Sequence, residues 1–186
     1  MSARTKKSKV RSIRITEELD DLLRQDAKDS GATVNALISS ILRKYAEWDR
    51  YAERFGYMTI SRDAFRALLE AIEDEKLVEI AKDLSPSLAR EVALHWFKQV
   101  TLNTFLGFLK ASSRYTQLGD YQVERSAARD TLAIHHDLGP KWSLLLSRAI
   151  ARAIESIANI SAKLSIEENT FTLSFPPGTL SEDLLA

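Results

Sequence analysis

Residues 10–15 read Val-Arg-Ser-Ile-Arg-Ile, a short alternating segment that stands ahead of two amphipathic helical patterns. Period-two alternation puts Ile13 and Ile15 on one face and Ser12, Arg14 and Val10 on the other. A lone strand leaves backbone N–H and C=O groups unpaired along its edges, and its apolar face needs cover. About fifty residues arranged as one strand and two helices bury too little surface to fold alone. The economical partner is a second copy of the same chain, with two strands pairing antiparallel and four helices covering the isoleucine face.

The flanking residues give the boundaries of those helices. Thr16 is placed to cap a first helix, with Glu17 and Glu18 in the first turn, where the helix dipole favours acids. Leu19, Leu22, Leu23 and Ala27 form one apolar stripe, and Gly31 is placed at the left-handed position that ends such a helix. Thr33 caps a second, longer helix with an apolar face of Val34, Leu37, Ile38, Ile41, Leu42, Tyr45 and Trp48, running on toward Phe55 and Gly56.

In the order and spacing of Ser12-Ile13-Arg14-Ile15-Thr16, the leucine stripe, Gly31 and Thr33-Val34-Asn35-Ala36-Leu37-Ile38, the segment resembles the ribbon-helix-helix family of the Arc and methionine-repressor type. The resemblance covers roughly residues 9–50, about a quarter of the chain. It implies an intertwined dimer whose two-stranded ribbon lies in the major groove of double-stranded DNA. Base contacts would then fall to Ser12 and Arg14, with Val10 beside them. Arg14 suits guanine, whereas Val10 offers at most a contact to a thymine methyl. The amides around Thr33, Val34 and Asn35, at the start of the second helix, would hold a backbone phosphate.

Charge supports this reading by its distribution. The whole chain is balanced, with 26 basic and 26 acidic residues. Its first fifteen residues nevertheless hold Arg4, Lys6, Lys7, Lys9, Arg11 and Arg14 and no acid, while residues 16–29 hold six acids. A local basic arm can meet phosphates even when the total is neutral. Arg4, Lys6, Lys7, Lys9 and Arg11 are accordingly expected to contact the DNA backbone.

Beyond residue 56 the pattern changes. Ser61 opens a helix with Phe65, Leu68, Leu69 and Ile72, and a second carries Leu77, Val78, Ile80, Ala81 and Leu84. Ser85-Pro86 reads as a new helix start, followed by residues 88–109, apolar on most sides. Residues 121–125 and 131–135 read as strands. Gly139-Pro140 turns into a long helix over Trp142–Ile157, and residues 164–166 and 171–175 form a hairpin around Glu168-Asn169. The expected fold class is α+β: an N-terminal ribbon-helix-helix, a helical region, and a four-stranded, mainly antiparallel sheet with a long helix packed on it. The expected divisions are a basic arm (1–8), the DNA-binding module (9–56), a sensing or assembly domain (57–177) and a loose tail (178–186), in which Leu184-Leu185 are able to dock. The order of strand, glycine turn, long helix and hairpin is similar to the architecture of small-molecule sensor domains of the vinyl-reductase and haem nitric-oxide-binding type. That likeness carries over no ligand-binding residue.

Chemistry-bearing motifs are sparse. The chain has no cysteine, which excludes disulfides, thiolate metal sites and a cysteine nucleophile. It contains no phosphate-binding glycine loop, zinc-protease motif or nucleophile elbow. His135 and His136 are adjacent on a strand and so diverge; a metal site joining one of them to His95 and Asp137 is outweighed by ordinary packing roles. No cofactor and no catalysis are expected. His95, Trp96, Phe105 and Trp142 are the candidate lining of an effector pocket, though aromatics at helical spacing are more often plain core. The expected function is a sequence-specific, homodimeric transcriptional regulator, most simply a repressor, cytoplasmic and nucleoid-associated, with no membrane partner. The competing expectation is an antitoxin-like protein whose C-terminal part binds another protein.

Overall fold

The computed structural model describes residues 9–116 and 119–181, and of Leu84 and Ser85 the backbone alone. The chain divides into two compact units between Tyr45 and Ala46. The sequence pattern placed this division at residue 56.

In the first unit, α1 (Glu17–Asp29) begins where the Thr16 hydroxyl accepts the Leu19 N–H at 3.4 Å. Glu17, Glu18 and Asp20 lie in its first turn and Lys28 in its last, each complementing the helix dipole. The helix ends in a paired reverse bond: the Ala32 N–H donates to the Ala27 carbonyl (2.8 Å), and the Gly31 N–H to that of Lys28 (3.1 Å). This ending requires the left-handed φ of +65° at Gly31, which a side chain resists. The second helix, α2 (Val34–Lys44), starts with the Thr33 hydroxyl accepting the Ala36 N–H at 3.2 Å.

The strand expected over residues 10–15 is not formed in the single chain; residues 9–16 carry no regular structure. The physical reason is the one that made a partner necessary: alone, the segment has nothing to complete its ladder. Val10 is 94% and Ile13 68% exposed.

From Tyr45 the chain makes a π turn (Tyr45–Asp49) and then α3 (Arg50–Phe55), closed by Gly56 at a φ of +84°. The apolar stripe read as continuous to Trp48 is thereby divided. Trp48 and Ala52 are buried in the core of the second unit, while Ile41, Leu42 and Tyr45 stay exposed.

The second unit continues with α4 (Arg62–Glu70), capped by Ser61, α5 (Asp74–Phe97) and α6 (Leu102–Tyr115). Here the helix divisions differ from those expected at Ser85-Pro86 and within 88–109. Residues 74–97 form one helix with Pro86 inside it. An interior proline costs about 3 kcal/mol. Leu77, Ala81, Ala89, Val92, Ala93 and Trp96, all buried along this helix on both sides of Pro86, offset that cost. The break comes instead at Lys98, which adopts a left-handed φ of +60°. A reciprocal cap between Thr101 and Thr104 then starts α6.

Four antiparallel strands follow the order β1-β2-β4-β3: β1 (Asp120–Arg125), β2 (Asp130–His135), β3 (Lys163–Ile166) and β4 (Thr170–Phe175). The register aligns two apolar rows across the sheet, Val123-Leu132-Leu173-Leu164 and Tyr121-Ile134-Phe171-Ile166. Between β2 and β3 runs α7 (Pro140–Ala158), which buries Ile150, Ala153 and Ile154 and packs along both the sheet and α5. The architecture is therefore α+β, with a four-stranded antiparallel sheet and a long helix on it.

Asp130 stands in the otherwise apolar face of β2, fully buried. Its Oδ2 accepts the Leu180 N–H at 2.8 Å, and Oδ1 lies 3.8 Å from the Arg125 Nε. Leu180 is buried in the same core, so the stretch from Gly178 to Ser181, expected loose, is pinned through Asp130. Leu184 and Leu185 lie outside the described residues. Replacing Asp130 with Ala strands a buried donor and should cost on the order of 3 kcal/mol, read as an earlier urea midpoint. Asp130→Asn keeps an acceptor for Leu180 and should lose less. Equal midpoints for parent and Asp130→Ala would show that this pin contributes nothing.

Candidate nucleic-acid interface

Every residue expected to read bases is accessible. Val10, Ser12 and Arg14 are exposed, as are Lys9 and Arg11. Arg4, Lys6 and Lys7 lie outside the described residues. At the start of α2 the Thr33 hydroxyl takes up the Ala36 N–H. The amides of Val34 and Asn35, in the first turn, have no partner within the helix and stand at its positive end. Within the described residues, the segment ahead of α1 thus offers three exposed cations, and α2 offers a helix start.

The first unit leaves much of its apolar stripes uncovered, with Leu23, Val34, Leu37 and Ile38 only half-buried. Leu22 is 58% and Leu42 61% exposed, and Leu19, Ile41 and Tyr45 are exposed as well; Ala27 is its one buried hydrophobic residue among those described. Two helices with correct caps but so small a shared core lack much of the burial that normally stabilises helices of this length.

The four candidate effector residues separate. Phe105 and Trp142 line an apolar cavity of about 240 Å³ beside α5, α6 and α7. Trp96 lines a second cavity, of about 640 Å³. His95 lines neither; it packs edge-on against Tyr51 and tilted against Phe55, with ring centroids 5.9 and 5.5 Å away. The wall of the larger cavity includes Gly107, Lys110, Ala111 and Arg114 of α6. None of these was singled out from the sequence. Their signal was a small-cation-small-cation face, masked by the long apolar run beside it.

The adjacent histidines, the last residue of β2 and the one after it, have different surroundings. His135 is exposed and its Nδ1 lies 3.0 Å from the Thr170 hydroxyl on β4. His136 is half-buried: its Nδ1 accepts the Leu138 N–H at 3.2 Å, so Nε2 carries the proton and donates to the Ser143 Oγ at 2.8 Å. The buried Ser143 hydroxyl donates onward to the Glu168 carbonyl at 3.2 Å. In this tautomer the imidazole cannot take the serine proton, so the pair bridges β2, α7 and the hairpin rather than activating a nucleophile. Among the described residues, no group of three or more acidic or histidine side chains is arranged to hold a metal. Likewise, no helix among them is long and apolar enough to cross a membrane. The chain matches no protein-family model and no curated protein.

Burial holds the His136 imidazole below the ordinary value of 6.5, outweighing the Asp137 carboxylate, which acts in the opposite direction. The unfolded chain therefore binds a proton near that ordinary value while the folded chain does not. The bridge's contribution is complete above it and declines as pH falls toward the depressed folded value. Urea midpoints measured at about pH 7.5 and about pH 5.5 should fall further for the parent than for His136→Gln. An equal fall in both would remove His136 as the source.

Proposed function

We propose that the first unit is one half of a ribbon-helix-helix dimer that reads double-stranded DNA in the major groove, and that the protein is a transcriptional regulator. The observation that carries this reading is the contrast within the first unit: its helix caps and the Gly31 turn are complete, yet Leu19, Leu22, Ile41, Leu42 and Tyr45 of its apolar stripes are exposed and Leu23, Val34, Leu37 and Ile38 only half-buried. A second copy supplies what is missing. Two segments 10–15 pairing antiparallel satisfy each other's backbone groups, direct Ile13 and Ile15 toward the four helices, and leave Ser12 and Arg14 facing outward.

In that arrangement Arg14 donates to guanine O6 and N7, Ser12 reads an adjacent base, and Val10 contacts a thymine methyl. The Val34 and Asn35 amides hold a phosphate at the α2 dipole, and Lys9 and Arg11, with Arg4, Lys6 and Lys7 before them, add salt-dependent affinity. Basic residues before the ribbon and Arg on its outward face distinguish this from a purely structural dimer.

Selection of bound sequences from a random duplex library should return a pair of short half-sites related by two-fold symmetry. Arg14→Ala should remain dimeric and lose at least roughly tenfold in affinity for the selected sequence. If its affinity and sequence preference match the parent's, base reading by the ribbon is wrong. Leu22→Asp should give a monomer by ultracentrifugation with loss of DNA binding, while the sheet unit keeps its melting transition. A dimeric Leu22→Asp would exclude this pairing.

A further inference from the structure

We propose that the apolar cavity of about 240 Å³ between α5, α6 and α7 is a binding site for a small, uncharged, apolar molecule of one or two rings. The site lies wholly in the second unit and stands whether or not the first unit reads DNA.

Spacing on three helices makes its walls. On α7, Trp142, Leu145, Leu146, Ala149, Ile150 and Ala153 recur every three or four residues, so one stripe of the helix borders the space. On α5 the stripe is Ala81, Leu88, Ala89 and Val92, and on α6 it is Phe105, Phe108 and Leu109. The short side chains matter as much as the long ones. Ala89 and Ala149 each present a single methyl where α5 and α7 run along each other, and a larger side chain there would take up room.

Exposure gives the cavity a direction. Val92, Ile150 and Ala153 are at most 2% exposed and close its floor. Tyr57 and Leu88, at 41% and 45%, are the exposed members of the lining and mark its opening. Between them Ile80, Leu109, Leu145, Leu146 and Ala149 are half-buried, and their accessible carbon is the surface a ligand meets.

Chemistry and size narrow the occupant. None of the described lining residues is charged. A charged ligand would give up its hydration with no ion pair to replace it, whereas an apolar one loses no hydrogen bond on entry. An apolar cavity of roughly 150 Å³ stays dry and admits benzene, so this one has room for one ring with substituents or two fused rings. A partner helix needs a row of anchor sites along a groove. This single cavity takes one side chain at most, which favours a small molecule over a docked protein.

Calorimetry on the full chain, with toluene and benzoate as probes of similar size and different charge, tests the site. Toluene should bind, and benzoate should bind at least roughly a hundredfold more weakly. In nuclear magnetic resonance spectra of the parent chain, toluene protons should give Overhauser contacts to the methyl groups of Ile80, Leu145 and Leu146. Ala149→Leu, which adds a branched side chain to the wall, should weaken toluene at least about tenfold. Should that variant fail to fold, the Overhauser contacts decide in its place, since they need no substitution. Absence of toluene binding, equal affinity for benzoate, contacts to other methyl groups alone, or undiminished binding in folded Ala149→Leu overturns the proposal. So does a toluene affinity that falls as protein concentration rises, the result expected where a second copy covers the cavity.

Discussion

Apolar surface must be covered, and the two units meet that requirement to very different degrees. In the second, two apolar rows run across all four strands, and α7 lies on them with α5 alongside. Phe171, Leu132, Leu173 and Ile154 are fully buried there. In the first, helix ends are satisfied by Thr16, Thr33 and the Gly31 turn, but Leu19, Leu22, Ile41 and Leu42 meet no core. Local bonds fix where each helix begins and ends; they supply little of the free energy that holds short helices together. The incomplete first unit is therefore the reason to look for a second copy, and the complete second unit is where a cavity acquires defined walls.

Elements whose cause is local were legible in the chain. All four strands lie where the alternation placed them, to within a residue at each end, and the caps at Thr16, Thr33 and Ser61 each accept the expected N–H. Elements decided by distant packing were not. Pro86 looked like a helix start because local chemistry favours proline there, yet buried residues on both sides carry α5 through it. The helix instead breaks at Lys98, a residue with no particular turn preference. The π turn at Tyr45–Asp49 and the burial of Leu180 have the same character, since neither follows from a pattern within a few residues.

Of the candidate site, the exposed cations and the helix start at Thr33 were readable because each depends on residue type and spacing alone. The pockets were not. Aromatic residues at helical spacing mark burial without saying what stands opposite, so Phe105 and Trp142 share one cavity, Trp96 lines another and His95, packed on Trp96 and Tyr51, lines neither. The His136–Ser143 bridge needed the fold as well: seven positions apart, on a strand end and a helix, the two meet only because Gly139 and Pro140 turn the chain between them.

Charge distribution connects the proposed reader with its selectivity. A uniformly basic protein would attract duplex DNA of any sequence, raising nonspecific binding along with specific binding. Here the first fifteen residues hold six cations and no acid, and Glu17, Glu18, Asp20 and Asp21 follow at once in α1. Acids so close to the proposed ribbon repel phosphates unless the duplex lies where Arg14 and the α2 amides can engage it, since like-charge contacts penalise other alignments. A chain neutral overall but divided in this way gives up long-range attraction and keeps a short-range one that depends on register. In the proposed dimer, with few base-reading side chains per copy, that exchange would raise the ratio of specific to nonspecific binding.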